Sequence, residues 1–529
     1  MDDQTPLMTQ SAPVKLSLVD RLCARLNADK TDLVSLLIPI NAKKVGKKHI
    51  AGVLRQSYER LQALRGDLSQ AGEHYQQNRK ASEQLNQLRR LLSPGADSIS
   101  LDQCLESIDN ALESLPPSEV KGPDRAWLFG IAAKLAQLNQ DHSLAGHYYD
   151  QALSCAELSS LALCDYYLGK ALVFEDLGRD FGVSQSLNQA ISILEKDALP
   201  LVSRETDIAR WCEVMTHLGD AQGILGQRQG GTRNLENAIA TLEKVVSATN
   251  GGSYPEQWGK AQNSLGNTLG VLGHRHNDEP MLGRAILAFE QALEVRQQAT
   301  HPHEWAITKN NLAAALQSVG QRKKDSKILK QSVEAYRSVL SEWTRELAPL
   351  DWANTMNNLG SALRLLGEHR KGPRTLEQSV AAYHSALSER SREQFPDDWA
   401  MTQNNLGAAL QTLAEREEKV EPLTQAVTAY ESALTVWTRD HAPMSWAMTM
   451  ANLGVARRTL AEVTNDYEEA LRAVEEIDSV SDAFREASHA QYSELIIDQL
   501  AQARKLAEAI RTEQSAEPMD LKLHPTPDS

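Results

Sequence analysis

Residues 352–367 read WANTMNNLGSALRLLG, residues 399–414 WAMTQNNLGAALQTLA and residues 446–461 WAMTMANLGVARRTLA. A fourth copy, WAITKNNLAAALQSVG, starts at Trp305, and six tryptophans (Trp211, Trp258, Trp305, Trp352, Trp399, Trp446) stand 47 residues apart without slippage. A fixed period of this length means one supersecondary unit stacked many times. In the copy from Trp399, the residues Trp399, Gln403, Leu406, Leu410 and Leu413 fall at steps of three or four and form one stripe of a helix, helix A.

About 20 residues beyond the Leu of each Asn-Leu-Gly comes a second periodic stretch: AVTAYESAL (Ala426 to Leu434), SVAAYHSAL (Ser379 to Leu387) and AILAFEQAL (Ala285 to Leu293). This is helix B. Small residues such as Ala426 and Ala433 flank one bulky ring, Tyr430, which suits close packing of two antiparallel helices. Pro255, Pro302, Pro349, Pro396 and Pro443 each lie three residues before a Trp, so a proline fixes the connector and starts the next helix A. Asp351, Asp398 and Ser445 are the N-caps expected from this spacing.

Helix A, turn and helix B with small residues at fixed places resemble the tetratricopeptide repeat in a long-loop variety. The resemblance rests on the Leu-Gly pairs Leu218-Gly219, Leu265-Gly266, Leu359-Gly360, Leu406-Gly407 and Leu453-Gly454, and on the triplets Ala285, Phe289, Ala292 and Ala426, Tyr430, Ala433. The repeated Asn-Asn-Leu is similar to repeats of the kinesin light chain kind and to bacterial proteins that join such arrays to effector domains. The resemblance implies an all-α fold: a right-handed superhelical solenoid of antiparallel helix pairs whose groove binds a protein or peptide.

Upstream the pattern weakens. Tyr167-Leu168-Gly169 with Ala190 and Leu194 makes one degenerate repeat, and Phe129, Ala132, Ala133, Ala145, Tyr149 and Ala152 make another. About eight repeats are expected over residues 122–480. Residues 481–512 read as a capping helix with Phe484, Leu495, Leu500, Leu506 and Ile510 on its apolar side, because an open stack needs its last face covered. Residues 14–95 read as a basic helical bundle or coiled-coil module, 96–121 as a linker, and 1–13 and 513–529 as disordered ends.

The net charge of -15 is unevenly spread: residues 1–95 hold 15 Lys/Arg against 9 Asp/Glu, and the remainder 40 against 61. Such asymmetry indicates modules with different surfaces. The longest nearly apolar run, Leu33 to Ile40, is interrupted by Ser35 and Pro39 and is too short to span a bilayer. Scattered cysteines (Cys23, Cys104, Cys155, Cys164, Cys212) and an amino terminus without a secretory pattern point to a reducing, cytoplasmic setting.

Catalytic signatures are absent from the sequence. The stretch before Gly46-Lys47 has Asn41 where a phosphate loop requires Gly, and no His-Glu-x-x-His, Cys-x-x-Cys or Gly-x-Ser-x-Gly occurs. His274 with His276, and His301 with His303, read as loop histidines rather than metal ligands. Cys212 and His217, five apart, do not share a helix face. The expectation is therefore a non-enzymatic scaffold or regulatory subunit without cofactor.

Two sets of residues are candidates for binding. Asn263, Asn310, Asn357 and Asn404 map, through the resemblance, to a position facing the groove, where an amide ladder would supply donors and acceptors to an extended backbone. Their neighbours Asn311, Asn358, Asn405 and Asn452 are expected to tie adjacent backbone instead. Lys43, Lys44, Lys47 and Lys48 form the densest charge cluster, open to three readings: a solvated loop, a patch for an acidic partner, or phosphate contacts. The last leaves open an alternative function, a nucleic-acid-associated regulator whose basic module touches DNA or RNA while the repeats act as sensor.

Overall fold

The computed structural model describes residues 28–42, 50–70, 79–93, 100–114, 122–249, 252–346, 348–486 and 490–516. Among these residues there are 21 α-helices and no strand. Helices α1 (Lys30–Ala42), α2 (Ile50–Gln70), α3 (Arg79–Leu91) and α4 (Leu101–Ser114) precede the repeats. The pairs follow: α5 (Gly122–Leu138) with α6 (His142–Leu153), α7 (Ser160–Phe181) with α8 (Ser184–Ile193), α9 (Ile208–Arg228) with α10 (Arg233–Thr249), and α11 (Pro255–Arg275) with α12 (Glu279–Val295). Next come α13 (Pro302–Lys323), α14 (Ser326–Val339), α15 (Pro349–Glu368), α16 (Arg374–Leu387), α17 (Pro396–Glu417), α18 (Val420–Leu434), α19 (Pro443–Thr464), α20 (Tyr467–Glu486) and α21 (Ala490–Ala516). The chain divides into two compact units, Met1–Val319 with Ser338–Pro349, and Gly320–Arg337 with Leu350–Ser529.

Helix pairing centres on one bulky B-helix side chain per repeat, a ring in some and aliphatic in others, as with Leu242 over Gly219 and Ile477 over Gly454. Tyr383 and Tyr430 on the B helices are wholly buried, each against the glycine of the preceding A helix. A Cβ added at Gly360 would stand 2.8 Å from the Tyr383 ring, and one at Gly407 2.8 Å from the Tyr430 ring, so only hydrogen fits there. Phe289 meets Gly266 in the same way.

In the first unit a single core runs from Leu33, Leu54, Leu64 and Leu88 through Cys104 and Ile108 to Leu128, Ala132, Ala145 and Tyr149. Helices α1 to α4 thus share their interior with the first repeat pair. Within the amino-terminal helices Arg65 of α2 holds the buried Asp32 of α1 with both terminal nitrogens (2.7 and 2.8 Å), and one ion pair extends the join to the repeats, Arg60 of α2 reaching Asp176 of α7 at 2.6 Å. In the second unit Tyr383, Leu406, Leu410, Leu423, Tyr430 and Leu453 form one core. Ile496, Ala503, Ala507 and Ile510 of α21 cover Ala447, Ile477, Val480, Ala461 and Ala470.

Four local expectations are corrected. The helices begin at Pro396 and Pro443, whose N-caps are Phe395 and Ala442 without side-chain bonds; proline, lacking an N–H, takes the first helical position and moves the cap upstream of Asp398 and Ser445. Pro349 likewise opens α15 ahead of Asp351. Leu495 is exposed while Ile496 is buried, because the apolar stripe of α21 runs through 496, 503, 507 and 510. His274 and His303 lie within helices α11 and α13 rather than in loops. Finally, a place on the same stripe as Leu359 and Leu406 predicts buried Trp352 and Trp399, yet Trp305, Trp352, Trp399 and Trp446 are half-buried, and only Trp258 of the row is buried.

Candidate functional site

Each A helix presents columns of residues at 47-residue steps from Thr216 onward, with Tyr166 a further 50 residues upstream, counted here back from the leucine of its Leu-Gly or, at Leu312, Leu-Ala pair. Two residues before that leucine lie Tyr166, Thr216, Asn263, Asn310, Asn357, Asn404 and Ala451. In the second unit the column is tied internally. Asn405 donates its amide to Asn357 Oδ1 (3.2 Å), and Asn452 and Thr449 donate to Asn404 Oδ1 (3.3 and 3.2 Å). Asn357 is only 3% exposed. Asn405 and Asn452 therefore bond the preceding repeat's side chain, not backbone. In the first unit Asn263 and Asn310 each have an Oδ1 that is out of solvent and without a hydrogen-bond partner. The lysines Lys43, Lys44, Lys47 and Lys48 lie outside the described residues.

Space for a ligand opens in the first unit. A cavity of about 530 Å³ is lined by Trp127, Ile131, Tyr149, Tyr166, Leu168 and Leu172 together with charged side chains of α2, α5, α7 and α9. A second, of about 350 Å³, lies between α9 and α11 around Arg210, Glu213, Glu256 and Lys260. Arg210 and Glu213 line both.

Helix geometry sets the chemistry of these cavities. Lys134 of α5 reaches Asp67 of α2 at 2.6 Å. Arg210 stands between two carboxylates, Asp165 (2.8 Å from Nε) and Glu213 (2.5 Å from Nη1). Glu213 is well bonded, being one turn away on the same helix, whereas Asp165 Oδ1 and Arg210 Nε approach off-axis and neither has an aligned hydrogen bond. Burial pushes the Asp165 carboxyl above the usual carboxylate range, with Glu213 and Asp207 adding to the push and Arg210 opposing it. Beneath the second cavity Lys260 contacts His217 Nε2 (3.2 Å), and His217 Nδ1 contacts the buried Glu175 (3.0 Å), a polar thread across α11, α9 and α7. Cys212 is buried on the same helix, and its thiol is pushed up to about 11 by burial, away from nucleophilic use.

None of the residues of these cavities was a candidate from sequence. They belong to the degenerate repeats, and their pairings join positions far apart in the chain, 116 residues for Arg60 and Asp176. One signal was present: where later repeats carry Asn, the column carries Tyr166 and Thr216. Elsewhere buried charge is structural. Arg390, 2% exposed, donates to Thr402 Oγ1 (2.6 Å), the Asp398 carbonyl (3.3 Å) and Asn354 Oδ1. Arg296, two repeats earlier, makes the same bond to Thr308 (3.2 Å).

A family model described as tetratricopeptide repeat matches residues 305–342 and 399–442. Among curated proteins, none matches the chain. Solved structures that are similar include BtubC (BKLC) from P. vanneervenii, at 19% identity over 56% of this chain and 95% of that one, with a TM-score of 0.32. A Rap protein complexed with competence and sporulation factor is 13% identical over 73% of this chain and 98% of that one, with a TM-score of 0.38. The P58(IPK) TPR domain is 12% identical over 83% and 99%, with a TM-score of 0.23. With A and B helices paired at a fixed period and the family model falling on two of those pairs, the chain carries tetratricopeptide repeats.

Proposed function

We propose that this protein is a non-enzymatic scaffold or regulatory subunit that holds a partner polypeptide against the A-helix face of its repeats. The observation that carries the reading is the division of labour between helix faces. B-helix rings such as Phe289, Tyr383 and Tyr430 are spent inside the stack, while the A helices α5, α7, α9 and α11 supply most of the lining of two cavities bearing rings and charges. Rings and paired charges on a rigid helical wall are the equipment of a polypeptide-binding surface rather than of a reaction centre.

Residues 14–95 act in this reading as a basic helical module that completes the larger cavity through α2, residues 122–480 as the array, and 481–512 as its cap. A reducing cytoplasmic setting goes with it, supported by free Cys104, Cys155, Cys164 and Cys212. No helix among the described residues is long and apolar enough to cross a membrane.

The test is site-specific photocrosslinking in the native host, with a photoreactive residue at Gln257 or Asn263 on the A face and, as control, at Leu287 on α12. A discrete adduct from the A-face positions alone supports the proposal. Adducts confined to Leu287, or none from either face, refute it.

A further inference from the structure

We infer that the second unit pairs with a second copy of this chain along the edge made by its A–B turns, the basic turns of one copy lying on the acidic turns of the other about a two-fold axis. This surface is separate from the cavities of the first unit and goes beyond the scaffold reading.

Four turns of the second unit join an A helix to its B helix: residues 322–330 between α13 and α14, 368–374 between α15 and α16, 415–421 between α17 and α18, and 462–469 between α19 and α20. Lys324, Glu418 and Asn465 occupy the same place in three of them, with φ of 52, 54 and 54°, and stand at multiples of the 47-residue period, while Lys371 lies one period after Lys324. Equivalent positions of stacked repeats fall in line. Direct bonds join the neighbours: Arg337 of α14 reaches Gln378 of α16 at 3.2 Å, Arg416 donates to the Glu368 carbonyl at 3.4 Å, and Asn452 of α19 meets Asn404 of α17 at 3.3 Å.

Charge is graded along this row. Residues 322–330 hold five Lys/Arg against one Asp, 368–374 three against one Glu, 415–421 two against four Glu, and 462–469 none against four Asp/Glu. The resulting series, +4, +2, -2 and -4, is its own complement when reversed. Reversal is what a two-fold axis imposes on a row of turns, so each turn of one copy meets its opposite on the other. These charges are not engaged within the fold. Among the described residues no carboxylate stands within ion-pair distance of Lys324, Lys327, Arg370, Lys371 or Arg374, and no cation within that distance of Glu415, Glu418, Glu462 or Glu468.

The acidic turns also carry Val420 and Val463, 38% and 59% exposed. Lysine stems cover such side chains while their heads reach the carboxylates alongside. A polyanion would answer the basic turns alone and be repelled by the acidic ones beside them, whereas a second copy answers both.

Sedimentation velocity of the full chain over about 1–100 µM, which brackets a micromolar dissociation constant, tests this. A monomer–dimer equilibrium is expected at about 0.05 M salt, weakened about tenfold or more at about 0.5 M, where exposed charges are screened. Lys324→Glu, Lys327→Glu, Lys371→Glu and Arg374→Glu together reverse the basic side; Glu415→Lys, Glu418→Lys, Glu462→Lys and Glu468→Lys reverse the acidic side. Each quadruple variant alone should dimerise about tenfold more weakly or worse. An equimolar mixture of the two should recover a heterodimer, because the acidic turns left in one face the basic turns left in the other. If either variant fails to fold, the neutral pair Lys324→Gln with Lys371→Gln should still loosen the dimer about threefold or more. A parent chain that stays monomeric at low salt overturns the inference, and binding of inorganic polyphosphate by that monomer would assign the basic turns to a polyanion instead. A dimer indifferent to salt and to these substitutions, or two folded variants that do not associate when mixed, overturns it as well.

Discussion

The contact between Gly360 and Tyr383 lends itself to a double-mutant cycle. Tyr383 is wholly buried, with its hydroxyl 2.9 Å from Ser361 Oγ, and removing its ring by Tyr383→Ala should cost about 3–5 kcal/mol, as for other large aromatics. Gly360→Ala acts through the same contact. Its new methyl would stand 2.8, 2.9 and 3.0 Å from three ring carbons, closer than real methyls approach. Overpacking of this kind costs about 1–3 kcal/mol, against which alanine's better helix propensity returns about 1 kcal/mol, for a net loss of about 0–2 kcal/mol. In the double variant the methyl enters space the ring has left, so the overpacking cost vanishes while the propensity gain stays. The double variant should be no less stable than Tyr383→Ala, with a coupling of about 1–3 kcal/mol. Urea unfolding followed by circular dichroism measures this, provided the slope with denaturant is unchanged. If the two single losses add to within about 0.5 kcal/mol, ring and glycine do not pack as described.

Trp399→Ala should cost about half of the roughly 3–5 kcal/mol expected for a wholly buried ring, because Trp399 is half-buried; a loss above about 4 kcal/mol in the same assay would contradict that. Glu418→Gly should stabilise by about 0.5–1 kcal/mol, since Glu418 closes α17 at φ 54°, a conformation that strains a side chain and suits glycine; an unchanged or lower midpoint refutes it. Burial among Glu431 and Glu469, opposed by Arg457, raises the Glu476 carboxyl from its ordinary 4.5 to about 7. The folded state therefore binds this proton more tightly than the unfolded one, and its contribution to stability is complete below pH 4.5 and lost as pH rises to about 7. Glu476→Gln should gain on the parent across that interval, read as the difference in melting temperature at pH 4.5 and pH 8, and a difference that does not change with pH would count against the assignment.

The repeat was legible in the sequence because its causes are local: a stripe of apolar residues at helical spacing makes an A helix, and a ring between small residues needs a small residue opposite, glycine at Gly360 and Gly407 and alanine at Ala313. Tyr430 over Gly407 follows from those residues alone. Caps and burial were less legible. Proline at the first helical position displaced the cap from Asp398 to Phe395, and the tryptophans' regular spacing marked a helix start, which is a half-buried place. The larger cavity was not legible, because its parts come from α2, α5, α7 and α9 and meet only through tertiary packing.

The asparagine column explains why regularity and site part company. In the second unit Asn357 and Asn404 spend their amide oxygens on the next repeat's Asn405 and Asn452, a bond that recurs because the repeats around it recur. An amide held that way has little left to offer a ligand, so strict repetition there is a stacking device. In the first unit the same column is broken by Tyr166 and Thr216, and Tyr166 lines the larger cavity while Thr216 lines the smaller. A position that abandons the stacking residue gives up a tie worth about 1 kcal/mol, and such departures from local consistency concentrate where a surface does something besides hold itself together. The period identifies the architecture, and the place where the period fails identifies the surface to test.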